Sequence, residues 1–260
     1  MKRKILLIDV GNTALKWATL EDPDHPNTII HNGRGDFKTE LYERWKKIGI
    51  THVFGCTVAA PEIAFSLTKF FNKEHIVWDW VHSSPSFQGL GYELFNGYKD
   101  PRTLGADRWY AAIGALENLR ETSLLVVHMG TATTCDSICL ERDGYYFRGG
   151  RIVPGPALML QSLTSSISSL KMGALGDYQT FPQLTDSAIA TGIVDAQVGL
   201  VIRSLEYMRQ TGFSVQVMLA GGAAQWIAPY VMEVIPDVRV MHNLVLSGLA
   251  AKARISLGVE

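Results

Sequence analysis

The sequence is poor in cysteine: Cys56, Cys135 and Cys139 are the three among 260 residues. An odd, small number makes a poor disulfide framework. The Cys135-x-x-x-Cys139 spacing has no second ligand pair, so a zinc site is not expected. Buried free thiols in a reducing compartment are. Charge of one sign is lacking as well, since 24 Lys+Arg against 25 Asp+Glu leave a net charge of −1. With no global field to recruit a polyanion, neither nucleic acid nor an acidic membrane is an expected partner. Long apolar runs are missing. Met1-Lys-Arg-Lys4 is followed only by Ile5-Leu-Leu-Ile8 before Asp9, short of the roughly 7–15 apolar residues of a signal sequence. No uninterrupted run reaches the roughly 18 residues of a membrane span. A soluble, cytoplasmic protein is expected.

Apolar residues make up 47% of the chain and charged residues 19%, against averages of about 45–50% and about 25% in soluble proteins. Disorder is excluded as an overall description, and a chain of this length buries enough surface to fold without staples. Short apolar runs read as buried strands: Ile5 to Val10, Ser123 to Met129 and Ser214 to Ala220, each running into glycine, and Thr51 to Val58 and Ile76 to Val81. Leu15 to Leu20, Cys135 to Leu140 and Tyr145 onward are further strands. Leu41 to Ile48, Glu62 to Phe71, Asp107 to Leu119, Ala157 to Leu170, Ser187 to Arg209 and Leu244 to Leu257 have helical spacing or composition. Glu21 to Pro26 reads as a solvent turn, 83–105 as a long loop and 171–184 as an irregular connection. Strands followed by helices throughout predict an α/β protein with mixed sheets flanked by helices.

One unit occurs twice. Ile5-Leu-Leu-Ile-Asp-Val-Gly-Asn-Thr13 and Leu125-Val-Val-His-Met-Gly-Thr-Ala-Thr133 both run strand, glycine turn, hydroxyl residue, strand. Two related lobes are therefore expected, residues 1–118 and 119–260, with room for the C-terminal helix to return to the first.

Glycine turns stand at Gly11, Gly130, Gly149-Gly150 and Gly221-Gly222. Successive N–H groups in such turns can cradle phosphate oxygens. Neither G-x-G-x-x-G nor G-x-x-x-x-G-K-[ST] occurs at them, so Rossmann and Walker readings are not supported. Asp9, at the end of the first strand, can hold Mg²⁺ beside phosphates or merely cap the turn. Lys16 can supply charge to a phosphate or lie on a solvated face. Asp107 and Arg108 follow Gly105-Ala106 at a loop-to-helix junction. They can cap the helix and face solvent. Alternatively, Asp107 accepts a hydroxyl proton during phosphoryl transfer and Arg108 grips a carboxylate.

Together these segments resemble the type III pantothenate kinases of the acetate and sugar kinase/heat-shock 70/actin superfamily. Asp9-Val10-Gly11-Asn12-Thr13-Ala14-Leu15-Lys16 resembles the family's first phosphate motif. Asn96 to Arg108 resembles its pantothenate-binding and catalytic stretch, Gly130 to Thr134 its second phosphate motif, and Gly149 to Pro156 the element after it. Thr185 to Gly192 resembles a helical motif whose threonine reaches pantothenate across a dimer interface, and Ala220-Gly221-Gly222 the adenosine motif. The resemblance implies related ribonuclease H-like or actin-like lobes and a homodimer. It also implies phosphorylation of pantothenate by Mg-ATP, the first step of coenzyme A synthesis. On it, Asp107 matches the general base, Asp9 the residue associated with Mg²⁺ and phosphate, and Thr131 an ATP contact. Tyr98, Gly105, Ala106, Arg108 and Thr185 match pantothenate contacts.

The chain departs from the family at His128-Met-Gly-Thr131, where Asp-x-Gly-Thr is common and the Asp helps to bind a monovalent cation. Imidazole is a poor ligand for K⁺ or NH₄⁺, so the resemblance does not carry that site over. A protonated His128 can replace the cation's charge, or the ring can simply hydrogen-bond at the strand end. A non-acidic residue here is reminiscent of the Bvg accessory factor branch. It leaves two rival readings open: a non-catalytic regulator that keeps the fold, or a superfamily kinase or phosphatase with another small substrate.

Overall fold

The computed structural model describes residues 3–35, 37, 39–167 and 176–258. The chain forms two compact units. The first takes residues 1–120, 141–147 and 243–260, and the second 121–140 and 148–242. The chain thus passes between units more than once: residues 243–260, with the C-terminal helix, and also 141–147 group with the first unit.

In the first unit, β1 (Ile5–Val10), β2 (Ala14–Thr19), β3 (Asp22–Ile30), β4 (His52–Thr57) and β5 (Val77–Trp80) form a sheet in the order β3-β2-β1-β4-β5. β1 is antiparallel to β2 and parallel to β4. It is apolar except at Asp9, which predicts burial on both faces. Leu6, Ile8 and Val10 enter one core with Leu15, Trp17, Val53 and side chains of α1 (Thr39–Ile48) and α2 (Pro61–Lys73). Its centre is aromatic: Trp17 and Trp45 meet edge to face at 5.9 Å. Strand alternation turns Ile5, Leu7 and Asp9 to the opposite face. On the helical side, α3 (Ala106–Asn118) and α7 (Leu244–Leu257) pack together. They cross where any side chain at Gly114 would strike the Leu244 carbonyl, and any at Gly248 the Tyr110 carbonyl.

Two stretches expected to lack regular structure are strands. Asp22–Ile30, which takes in all but the first residue of the breaker-rich Glu21 to Pro26, is the edge strand β3. Its pairing jumps from Trp17↔Asn27 to Thr19↔Asp22, so Pro23 and Pro26 fall in a bulge where their missing N–H groups cost no ladder bond. The expected loop 83–105 contains the hairpin β6 (Ser86–Gly89) and β7 (Tyr92–Asn96), and a 3-10 turn at Pro101–Thr103. Gly91 turns the hairpin with φ +81, and the Tyr92 ring covers the space above its partner Gly89.

The second unit contains β8 (Ser123–Met129), β9 (Ala132–Leu140), the Arg148–Pro154 part of β10 (Tyr145–Pro154), β11 (Val215–Ala220) and β12 (Val238–Val240). Their order is β12-β11-β8-β9-β10. β8 is antiparallel to β9 and parallel to β11. This repeats the neighbours of β1, and the five-strand order repeats as well. The internal echo in the sequence is therefore a repeated sheet. The helices are α4 (Pro156–Ser166), α5 (Thr185–Gln210) and α6 (Ala224–Val234). The end of the expected helix to Leu170, and residues 171–175 of the expected irregular connection, lie outside the described residues. The sequence reading assigned neither α6, which contains Pro229, nor the three-residue β12.

α5 is long and apolar enough to cross a membrane by length and composition. It nevertheless carries Asp195 and Gln197, and Val194, Val201, Leu205 and Met208 enter the core of this unit with Val127, Met129 and Leu219. The three cysteines are buried.

Candidate active site

In the first unit, the antiparallel register places Lys16 opposite Asp9, and the parallel register places Cys56 beside it. Register partners project to the same face, so carboxylate, ammonium and thiol gather where β1 ends. The Cys56 thiol donates to Asp9 Oδ1 at 3.8 Å. Burial pushes the Asp9 carboxyl up to about 6. Lys16 opposes the rise, the Asp107 charge adds to it, and the Cys56 thiol opposes it. Asp9 is a hard oxygen donor with little compensating charge inside the protein, which suits a divalent cation. Among the described residues no cluster of three His, Cys, Asp or Glu side chains could cage a metal.

The turn after β1 is tight. Gly11 N–H donates to the Ala14 carbonyl at 3.0 Å. The glycine's own N–H is thus used inside the turn, which leaves the following residues, Asn12 and Thr13, to face a ligand. The side chains of Val10 and Leu15 are buried in the core of this unit.

Asp107 stands in the first turn of α3, behind Gly105. A side chain at 105 would meet Asp107 Oδ1 at 2.6 Å, so the glycine makes room for the carboxylate. Burial raises the Asp107 carboxyl, against the lowering effects of the Arg108 N–H and the Arg108 charge. The Arg108 N–H donates to Oδ1 at 2.8 Å. Ala106 is buried beneath this turn. Arg108 is only 7% exposed. Its guanidinium donates to the Tyr98 hydroxyl at 2.7 Å and lies over the rings of Tyr98 and Phe147, at 5.7 and 5.5 Å. The two rings meet edge to face at 5.9 Å, so the guanidinium rests against a ring pair, and these contacts with the Tyr98 hydroxyl bond restrain its fork. Tyr98, Gly105, Asp107 and Arg108 are therefore brought together, in the same unit as Asp9 and Lys16.

Two supporting residues escaped the sequence reading. Phe147 supplies a second ring against Arg108. Asn96 binds the Ser84 and Pro101 carbonyls at 3.1 and 3.2 Å and accepts from Tyr98 N–H at 3.1 Å, which fixes the loop carrying Tyr98. Asn96 was legible as the head of the Asn-Gly-Tyr segment. Phe147 comes from a distant strand and gave no local signal.

In the second unit, three glycine turns converge. Gly155 N–H donates to the Thr131 carbonyl at 2.9 Å, and Ala223 N–H to the Met129 carbonyl at 3.1 Å. Gly221, with φ +99, lies so close to the Met129 backbone that no Cβ would fit. Gly222 and Thr131 are open to approach. His128 pairs in register with Thr134 and Ala220. Thr185 is exposed and opens α5. It lies in the second unit, whereas Tyr98 and Gly105 to Arg108 lie in the first.

A family model described as type III pantothenate kinase matches residues 5–206. The chain belongs to the type III pantothenate kinase family. A protein of that name from Polaromonas sp. (strain JS666 / ATCC BAA-500) is 35% identical over 253 residues, covering 94% of this chain and 95% of its own length. Among solved structures, a conserved putative Baf family transcriptional activator from Campylobacter jejuni aligns with TM-score 0.59 at 18% identity, over 98% of this chain and 100% of that one. A putative 2-dehydro-3-deoxygalactonokinase from Sinorhizobium meliloti aligns with TM-score 0.58 at 15% identity, over 97% and 99%. At such identities these structures speak to the fold alone. It is the mixed α/β, two-sheet fold of the actin-like ATPases.

Proposed function

We propose that this type III pantothenate kinase family member transfers the γ-phosphoryl group of ATP to pantothenate, giving ADP and 4′-phosphopantothenate, with Asp107 as general base. The observation that carries the assignment is Asp107 itself. It is held clear by Gly105, raised by burial, and adjacent to an Arg108 fork resting against two rings. A carboxylate with a raised pKa is a better proton acceptor near neutrality than an ordinary one. It takes the proton of the acceptor hydroxyl as that oxygen bonds to the γ-phosphorus. The bond from phosphorus to the ADP oxygen breaks, and no covalent enzyme intermediate is needed. Arg108 and Tyr98 bind the acceptor's carboxylate end, with Gly105 and Ala106 shaping its floor and Thr185 a further contact.

Asn12, Thr13 and Lys16 face the phosphates, and the resemblance assigns Thr131 to ATP and Gly221-Gly222 to the adenosine. Asp9 would hold Mg²⁺, which when bound neutralises charge on the phosphates. No monovalent cation site is assigned, because His128 stands where an acidic ligand is usual. A cytoplasmic homodimer is the proposed form. Large apolar side chains exposed in and around α4 and before α5, among them Leu158, Leu163, Phe181 and Leu184, suit a face covered by a second copy.

Purified protein given Mg-ATP should consume ATP only when pantothenate is present. Asp107→Asn should lower kcat by about 10²–10⁴-fold while retaining the folded spectrum. Undiminished turnover in that variant removes the base assignment. ATP binding with no pantothenate-dependent turnover in the wild type points instead to a non-catalytic regulator.

A further inference from the structure

The turn after β1 is held from behind by a segment that no motif singles out. His31, 7% exposed, follows β3. Its Nδ1 accepts from Gly33 N–H at 3.1 Å, and its Nε2 lies 2.9 Å from the Gly11 carbonyl oxygen. A ring nitrogen that accepts carries no proton, so the proton is on Nε2, which donates to Gly11. The backbone adds two more bonds: His31 N–H and Asn32 N–H both donate to the Thr13 carbonyl, at 2.9 and 3.0 Å. The local chain is bent to allow this, with Asn32 at φ 47 and Gly33 at φ 79. The Phe37 ring meets the imidazole edge to face at 5.9 Å.

A trans peptide points its C=O and N–H in opposite directions, and the described chain contains no cis bond. Fixing the Gly11 carbonyl on the His31 side therefore fixes the Asn12 N–H on the other side. We infer that His31 is a positioning residue for nucleotide binding: its Nε2–H holds the Gly11–Asn12 peptide so that the Asn12 N–H is aimed at a phosphate oxygen of ATP. The inference rests on reading Asn12 to Lys16 as a phosphate loop. It adds a residue to that loop from outside every motif quoted for it. An imidazole also suits the task chemically. It spans two backbone groups through a rigid ring, whereas a flexible side chain would have to be ordered first.

Two conservative variants separate the hydrogen bond from mere packing. The amide nitrogen of Gln reaches the position of Nε2, and the amide of Asn reaches that of Nδ1. His31→Gln keeps the bond to Gly11, and His31→Asn keeps only the partner of Gly33. Binding of a non-hydrolysable ATP analogue with Mg²⁺ should be measured by calorimetry, alongside KM for each substrate. His31→Asn should weaken nucleotide binding and raise KM for ATP by about fivefold to tenfold, the scale of one hydrogen bond. Its KM for pantothenate should stay unchanged. His31→Gln should remain within about twofold of wild type on the same scale.

Equal impairment of both variants, or a shift shared by both substrates, makes His31 a packing residue and overturns the inference. So does unchanged ATP binding in His31→Asn. Lys16→Ala is the control for the loop itself. If it weakens nucleotide binding while the His31 series is flat, only the His31 inference falls. If both are flat, the phosphate-loop reading falls with it.

Discussion

Asp9 and Lys16 stand directly opposite one another in the β1–β2 ladder, yet the lysine does not restore the carboxyl to its ordinary range. Burial outweighs it, and Asp107 adds to the rise, so the folded chain holds Asp9 at about 6 against an ordinary value of 3.8. That is a stability statement. Well below pH 3.8 the group is protonated in both the folded and the unfolded chain, and costs nothing. As pH rises the unfolded chain ionises first. The resulting destabilisation grows until the folded group has ionised, somewhat above pH 6. A shift of about two units corresponds to an upper figure of about 3 kcal/mol. Asp9→Asn should therefore raise the Tm of the ligand-free protein at pH 7.5 by several degrees, and flatten its Tm between pH 4 and 7. Thermal melts across that range check this, and a lower Tm at pH 7.5 would count against it. The same variant should lose Mg-ATP turnover, because a carboxylate kept at a cost to folding is kept for a ligand.

Arg108 depends on its two rings. Phe147→Leu leaves the Tyr98 hydroxyl bond in place but removes one of the two rings against the guanidinium. Losing one cation–π contact of about 1–2 kcal/mol should raise KM for pantothenate about fivefold to thirtyfold, with kcat within about threefold. Arg108→Lys removes the fork as well, and should raise that KM further. Steady-state kinetics at saturating ATP measure both. A Phe147→Leu effect confined to kcat would show that the ring acts on the chemistry and not on the grip.

Gly221 and Gly222 are adjacent but differ in what they tolerate. At Gly221 both the positive φ and the Met129 backbone exclude a side chain. Gly221→Ala should cost about 2–4 kcal/mol from strain and overpacking together. It should also weaken nucleotide binding through displacement of the Met129–Thr131 turn. At Gly222 a Cβ would meet nothing within 4 Å, so Gly222→Ala should fold with wild-type stability. Denaturant melts of the pair test the contrast, and equal stabilities would refute it.

What the sequence made legible followed from local chemistry. The strand Ile5 to Val10, its echo at Ser123 to Met129, and the Gly105 to Arg108 junction are contiguous signals, and each is found where expected. The misses arose where tertiary context overrode composition. Pro23 and Pro26 said turn, but a bulge on an edge strand tolerates both. Gly89, Gly91 and Pro85 said loop, but Tyr92 covers Gly89 and closes a hairpin. Phe147 and His31 act on segments far from them in sequence, through ring stacking and backbone hydrogen bonds that leave no periodicity behind. Gly11 was legible as a turn but not as one whose own N–H is already used.

The last prediction concerns His128. It lies at the end of β8, two residues before Gly130, with Thr134 and Ala220 as its register partners. Hard monovalent and divalent cations seek oxygen ligands, and an imidazole offers none. If no cation is bound beside this turn, replacing K⁺ by Na⁺ or by NH₄⁺ at constant ionic strength should change kcat/KM for ATP by less than about twofold. His128→Asp supplies the missing oxygen ligand and the negative charge that a cation would offset. It should make turnover depend on K⁺ or NH₄⁺, with activity in Na⁺ alone falling below that of the wild type. A wild-type enzyme that stops working without K⁺, and a His128→Asp variant whose ion response is no different, would together show that the cation is held elsewhere and that His128 did not displace it.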